Sequence, residues 1–334
     1  MLILRKGLFG ILAVLALCSA THAEPVKIRI GWAVPAANWG SILLEKKELA
    51  RHLGQSYVLE PVHYNGSPPQ FAALARGELE IADLTFSTLP IAIENAGLVD
   101  LRVIAGGFQD GLPGYYSQEF MVLADGPIKT VEDLKGKVMA TVGAGAAVDV
   151  GMRGMLLRYD LAKDRDYTMV EAQFSNMRTL LLEKKADLVP MVPPFSFDAE
   201  LRKVARPLFR QTDVSGQTQL VMWTARQRFI DDHRAAMVDF MEDALRITRW
   251  FLDPANHKEA MAIVGRMTER PPEGYDWVFT ERDYYRDPSM LPDLAALQKN
   301  VDLVRDLGFV KDDLDVSQYT DLTLLEEAAK RLNK

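Results

Sequence analysis

Cysteine is almost absent from this chain: the single one, Cys18, lies within the first 23 residues. That segment carries Arg5 and Lys6, an apolar run over residues 8–17 and a small-residue end, Thr21-His22-Ala23. The pattern is that of a secretory signal peptide over residues 1–23, with an apolar core too short for the roughly 20 residues that span a bilayer. Leu17 is too large for the position before a lipidated cysteine, so cleavage after Ala23 without lipidation is expected. The exported chain then has no cysteine, which excludes disulfides, a thiolate nucleophile and cysteine metal sites. It is expected in the periplasm.

Other absences narrow the function further. The formal charge is −7 and the basic residues are scattered, which argues against nucleic acid or an anionic membrane as partner. His52, His63, His233 and His257 lack metal-ligand spacing to one another. Paired acids such as Asp231-Asp232 read as solvated charge at helix ends. No nucleophile elbow, phosphate loop or metalloprotease helix is present, so no metal, cofactor or catalytic residue is predicted. Low-complexity tracts and long linkers are missing too, and about 310 exported residues are enough for two closely packed domains.

What is present is α/β patterning. Residues 26–32 alternate like a first strand and run into a small-residue loop at 35–41. Residues 64–90 then read as a turn, a short helix with Phe71 and Leu74 on one face, and a buried strand, Ile81-Ala82-Asp83-Leu84, ending at Thr85-Phe86-Ser87. In open α/β sheets ligands bind at that end of the strands; an ordinary structural unit has the same pattern. The order of helix, Ala-Asp-Leu strand and proline-rich loop returns at residues 176–195, either as the echo of a second, similar lobe or by chance.

Two helix starts have backbone amides free to hold an anionic head group, residues 38–41 and 143–147. The second, Gly143-Ala144-Gly145-Ala146-Ala147, is not a dinucleotide fingerprint, because valine stands at position 148 where a third glycine is required. Small residues there serve close helix–strand packing equally well. Thr130 is a plausible N-cap for a short helix. Trp39 is either a pocket wall or core. Long amphipathic patterns over residues 231–251, 294–307 and 322–332 are structural helices.

Taken in order, the export signal, the first strand and its loop, GELEIADL at 77–84, VEDLKGKVMATVG at 131–143, KKADLVPMVPP at 184–194 and YTDLTLLEEA at 319–328 resemble a known family. The chain looks like a periplasmic solute-binding protein of the nitrate, sulfonate and taurine ABC importers, within the thiamine-pyrimidine-synthase-like superfamily. The resemblance implies a type II periplasmic binding protein: α/β, two lobes joined by two crossing strands. Lobe one would comprise residues 24–116 and 222–334, and lobe two residues 117–221. It implies a monomer that hands a small molecule to an inner-membrane permease with its ATPase. The implied ligand is a small organic anion (sulfonate, taurine-like or aromatic acid), or alternatively a pyrimidine or other aromatic vitamin precursor. Enzymes on the same fold use cysteine chemistry that the exported chain cannot supply. A ligand between the lobes is expected to meet Asn38, Trp39, Tyr64, Phe86, Ser87, Tyr116 and Trp223 on one side and Gly145, Ala146, Asn176 and Phe195 on the other.

Overall fold

In the computed structural model, which describes residues 24–333, the chain folds as two α/β lobes. The signal segment lies outside the described residues. The first lobe begins with β1 (Val26–Trp32), α1 (Trp39–Ile42), β2 (Tyr57–His63), α2 (Pro68–Ala75), β3 (Ile81–Thr85), α3 (Thr88–Glu94) and β4 (Leu101–Asp110). The chain then crosses and builds β5 (Glu119–Leu123), β6 (Val138–Thr141), α4 (Ala147–Leu157), β7 (Thr168–Glu171), α5 (Met177–Leu182), β8 (Val189–Met191), α6 (Ala199–Val204), β9 (Ala205–Arg210) and α7 (Gln211–Ser215). It returns as β10 (Thr218–Arg226), followed by α8 (Gln227–Asp232), α9 (Arg234–Leu252), α10 (His257–Met267), α11 (Leu294–Asp306) and α12 (Thr323–Leu332).

The first sheet has the order β2-β1-β3-β10-β4. β1 runs parallel to β2 and β3, whereas the returning β10 is antiparallel to both β3 and β4. Alternation along each strand sorts side chains to two cores. Trp223 and Ala225 of β10 face Phe240, Met241 and Leu245 of α9. Met222, just before Trp223, faces the opposite core, with Leu89 of α3 and Leu297 and Val301 of α11. In the second lobe Phe120 and Val122 of β5 pack on Met152 and Leu156 of α4, and Met121 packs on Met177 and Leu181 of α5. Gly40 lets α1 lie close on β1, because a Cβ there would meet the Gly31 carbonyl oxygen at 3.1 Å.

The two crossings run side by side. The Gln211 amide donates to the Gln118 carbonyl at 2.9 Å, and the Thr212 amide to Ser117 Oγ at 3.1 Å. Asp110, at the end of β4, accepts from Ser117 Oγ at 2.6 Å and from the Gln118 amide at 2.7 Å. Thr130 does not cap a helix: the short 3-10 turn Glu132–Leu134 follows Val131, and the Asp133 carboxylate accepts from the Lys129 and Thr130 amides instead. A carboxylate reaching back to two amides outcompetes the hydroxyl cap.

Candidate functional site

The lobes close on each other around a cavity that both of them wall. From the first lobe it is lined by the loop after β1 (Ala33, Val34, Ala37, Asn38), the turn before α2 (Gly66, Ser67), Asp83 and Thr85 of β3, Phe108 of β4, and Leu220 and Val221 of β10. The segment between α10 and α11 adds Tyr284. From the second lobe come Gln118, Val142, Ala146, Ala147, Val148, Phe174, Val192 and Pro193. At its edge Val34 and Ala37 meet Val192 in an apolar patch, with Phe174 and Phe195 half-buried around it.

Of the residues expected from sequence, Asn38 and Ala146 line this cavity. The Asn38 side-chain oxygen accepts from the Ala33 and Val34 amides at 3.0 and 2.7 Å, which shapes the loop. Ser87 and Gly145 lie beside it and join the lobes: Ser87 Oγ donates to the Gly145 carbonyl at 2.8 Å. Tyr116 packs edge-on against Tyr284, with centroids 5.1 Å apart, and its hydroxyl donates to the Met191 carbonyl at 3.1 Å. Burial pushes the Tyr116 phenol well above its ordinary range.

The other expected residues lie elsewhere. Trp39 is 2 % exposed and belongs to the core, stacked on Phe279 with the ring planes 3° apart. As the first residue of α1 it turns away from the loop toward α9, so it is no pocket wall. Phe86 and Trp223 are fully buried core side chains, and Tyr64 is half-buried against the core that holds Phe86. Phe195 lines a neighbouring crevice with Trp32 and His63, and Asn176 lines a separate outer one. Large aromatic side chains near strand ends are drawn into the cores first, because their area is worth most there.

At both expected helix starts the chain's own acceptors take some of the amides, those of Asn38 and Ser41 at the first and of Gly145 and Ala146 at the second. The Gly145 amide donates to the Asp149 carboxylate at 2.8 Å, and Asp149 is also held by Arg153 Nε at 2.9 Å. A carboxylate of the chain's own already occupies the positive end of α4. In the loop before α1 the amides of Ala33, Val34 and Ala36 are taken by Asn38 and Ser41. Among the described residues no arginine, lysine or histidine lines the cavity.

Two residues that sequence reasoning passed over carry its polar chemistry. Asp83 sits in the middle of β3, 2 % exposed, and neither carboxyl oxygen has a hydrogen-bond partner. Its own amide donates to Gln70 Oε1 at 2.9 Å. Burial raises its carboxyl well above the ordinary aspartate range, and the nearby Trp223 indole and Asn38 amide offset this only in part. The Tyr284 hydroxyl is likewise buried without a partner, and its ring stacks on Phe108 at 4.6 Å. An aspartate inside an otherwise apolar strand is a signal that sequence reading can catch. Tyr284 lies in a segment without periodicity. That segment is held by Arg286, which donates to Asp283 at 2.8 Å and to the Ala37 carbonyl at 3.2 Å.

A model of the NMT1-like family matches residues 21–265. A search of curated proteins finds no match. Among solved structures, the alkanesulfonate-binding protein SsuA from Xanthomonas axonopodis pv. citri, bound to MOPS, is similar at 17% identity and a TM-score of 0.69. It covers 90% of this chain and 99% of its own. The periplasmic nitrate-binding protein NrtA from Synechocystis PCC 6803 is similar at 14% identity and a TM-score of 0.71, over 92% of this chain and 89% of its own. The desulfurization enzyme DSZB is similar at 12% identity and a TM-score of 0.64, over 92% of this chain and 99% of its own. The fold is therefore that of the two-lobed periplasmic binding proteins, as the sequence resemblance implied. Among the described residues no helix is long and apolar enough to cross a membrane.

Proposed function

The chain belongs to the NMT1-like family, and from that premise we propose that it is the substrate-binding component of an ABC importer. It is exported to the periplasm as a monomer, captures one small organic molecule between its lobes and delivers it unchanged to a permease with its ATPase. Residues 24–116 and 218–334 act as one lobe and residues 117–217 as the other, four residues short of the expected boundary because β10 lies in the first sheet, and the two are hinged at the paired crossings. The observation that carries this reading is the cavity between the lobes, walled by both of them. A site walled by two bodies opens for entry and closes on its ligand.

The same fold serves binding proteins and an enzyme, so the residues at the site decide between them. The cavity's polar side chains are Asn38, Ser67, Asp83, Thr85, Gln118 and Tyr284. They suit recognition, and no nucleophile is paired with a base among them. A sulfonate, taurine-like or aromatic acid is the ligand class that the family resemblance suggests. The cavity's chemistry favours the alternative, a pyrimidine or other aromatic vitamin precursor, because Asp83 has no basic side chain of the described residues beside it. Recovering the protein from the periplasm of its native host and identifying what it releases on denaturation tests the reading. One unchanged small molecule is expected; a chain that converts that molecule on re-addition would refute it.

A further inference from the structure

We propose that Asp83 and Tyr284 are the ligand's polar anchor, and that the ligand carries a cationic nitrogen group with N–H donors, an ammonium or amidinium, on an apolar body. The inference rests on the binding-protein reading and gives it a ligand class. Asp83 and Tyr284 both line one cavity, and both Asp83 carboxyl oxygens and the Tyr284 hydroxyl are buried without a hydrogen-bond partner; the Trp223 indole nitrogen, opposite Asp83 across β3 and β10, is unpartnered as well. Asp83 and Tyr284 are each 2 % exposed. In folded proteins buried polar atoms are nearly always partnered, and a buried acid without a partner is costly. Unpartnered atoms on two residues of one lining mark the place where a missing partner belongs.

The surroundings say what that partner is. An ionised carboxylate only accepts, so a group that holds the buried Asp83 ionised must donate to it. The rest of the wall is largely apolar, with Val34, Phe108, Phe174 and Val221 around the polar pair. No basic side chain of the described residues reaches the cavity to neutralise Asp83. An anionic head group would meet no basic side chain of the described residues here, and beside an ionised Asp83 it would be a second like charge in a low-dielectric space. A cation with two or three N–H groups meets both carboxyl oxygens through charge-assisted hydrogen bonds and leaves its body against the aromatic wall.

Isothermal titration tests this on the full exported chain, stripped of copurified ligand by unfolding and refolding. The probes are benzylamine and benzamidine as cations and benzenesulfonate as the anion. At least one cation is expected to bind, and benzenesulfonate is not. Asp83→Asn should weaken the cation about ten- to a hundredfold, the scale of a charge-assisted bond. Tyr284→Phe should weaken it severalfold, with the thermal midpoint kept within a few degrees. Tyr284→Phe alone decides the matter should Asp83→Asn not fold. The proposal is overturned if neither cation binds, if cation affinity is unchanged in the variants, or if benzenesulfonate binds instead. Sulfonate binding would leave the importer reading standing, whereas conversion of any probe to product would overturn that reading.

Discussion

Ser87 Oγ and the Gly145 carbonyl, 2.8 Å apart, tie the first lobe to the second beside the cavity. Gly145 has φ +79, and a Cβ there would lie 2.8 Å from Ile91 Cδ1 of α3. Gly145→Val is therefore expected to strain the backbone at the lobe contact and to displace the Ile91 side chain, which loosens closure. Ligand affinity should fall at least tenfold, and small-angle scattering of the liganded protein should give a larger radius than the parent. Ser87→Ala should cost only about 0.5–1.5 kcal/mol of closure, the net worth of one buried hydrogen bond. Equal radii for Gly145→Val and parent would show that this contact does not govern closure.

Trp39 gives a prediction of opposite kind. Packed against Phe251 and Phe279 away from the cavity, it contributes stability and no ligand contact. Trp39→Ala should cost about 3–5 kcal/mol of folding free energy. At a temperature where the variant stays folded, its ligand affinity should match the parent's. Denaturant unfolding beside a binding titration separates the two; a variant of normal stability that fails to bind would return Trp39 to the site.

Asp110 predicts a pH dependence at the crossing between lobes. Burial pushes its carboxyl up to about 7, against the pull of Ser117 and the Gln118 amide. An acid raised in the folded state binds a proton that the unfolded chain has released. Its contribution is whole below the ordinary aspartate range and is lost as pH rises through about 7. Between about pH 4 and 7 the parent should therefore lose stability relative to Asp110→Asn, by a few kcal/mol on the order of the shift. Parallel stability curves for the two proteins across that window would contradict the assignment.

Much of the fold was legible because it is local. Alternation over Val26–Trp32, the strand that became Ile81–Thr85 and the amphipathic helices Arg234–Leu252 and Leu294–Asp306 all follow from periodicity. The insertion of β10 between β3 and β4 was not, since a strand some 130 residues from its partners pairs through packing rather than local pattern. The same division runs through the site. Asn38 and Ala146 could be placed from a loop and a helix start, but the aromatic residues chosen with them went to the cores. Asp83 was visible as a charge in an apolar strand, but its place in the cavity lining and its unpartnered carboxyl oxygens were not. Tyr284 depends on Arg286 reaching Ala37 across the lobe, a contact no sequence spacing encodes.

Native mass spectrometry of the protein taken directly from the periplasm tests the central claim most directly, set beside a variant whose cavity is filled. Ala33 lines the cavity and is only half-buried, so Ala33→Trp adds bulk there without emptying a core. The expected result is one small-molecule adduct per parent chain, carrying nitrogen, and a bare chain for the variant at an unchanged melting temperature. An adduct retained by Ala33→Trp would place the ligand elsewhere, and the space between the lobes would not be the binding site.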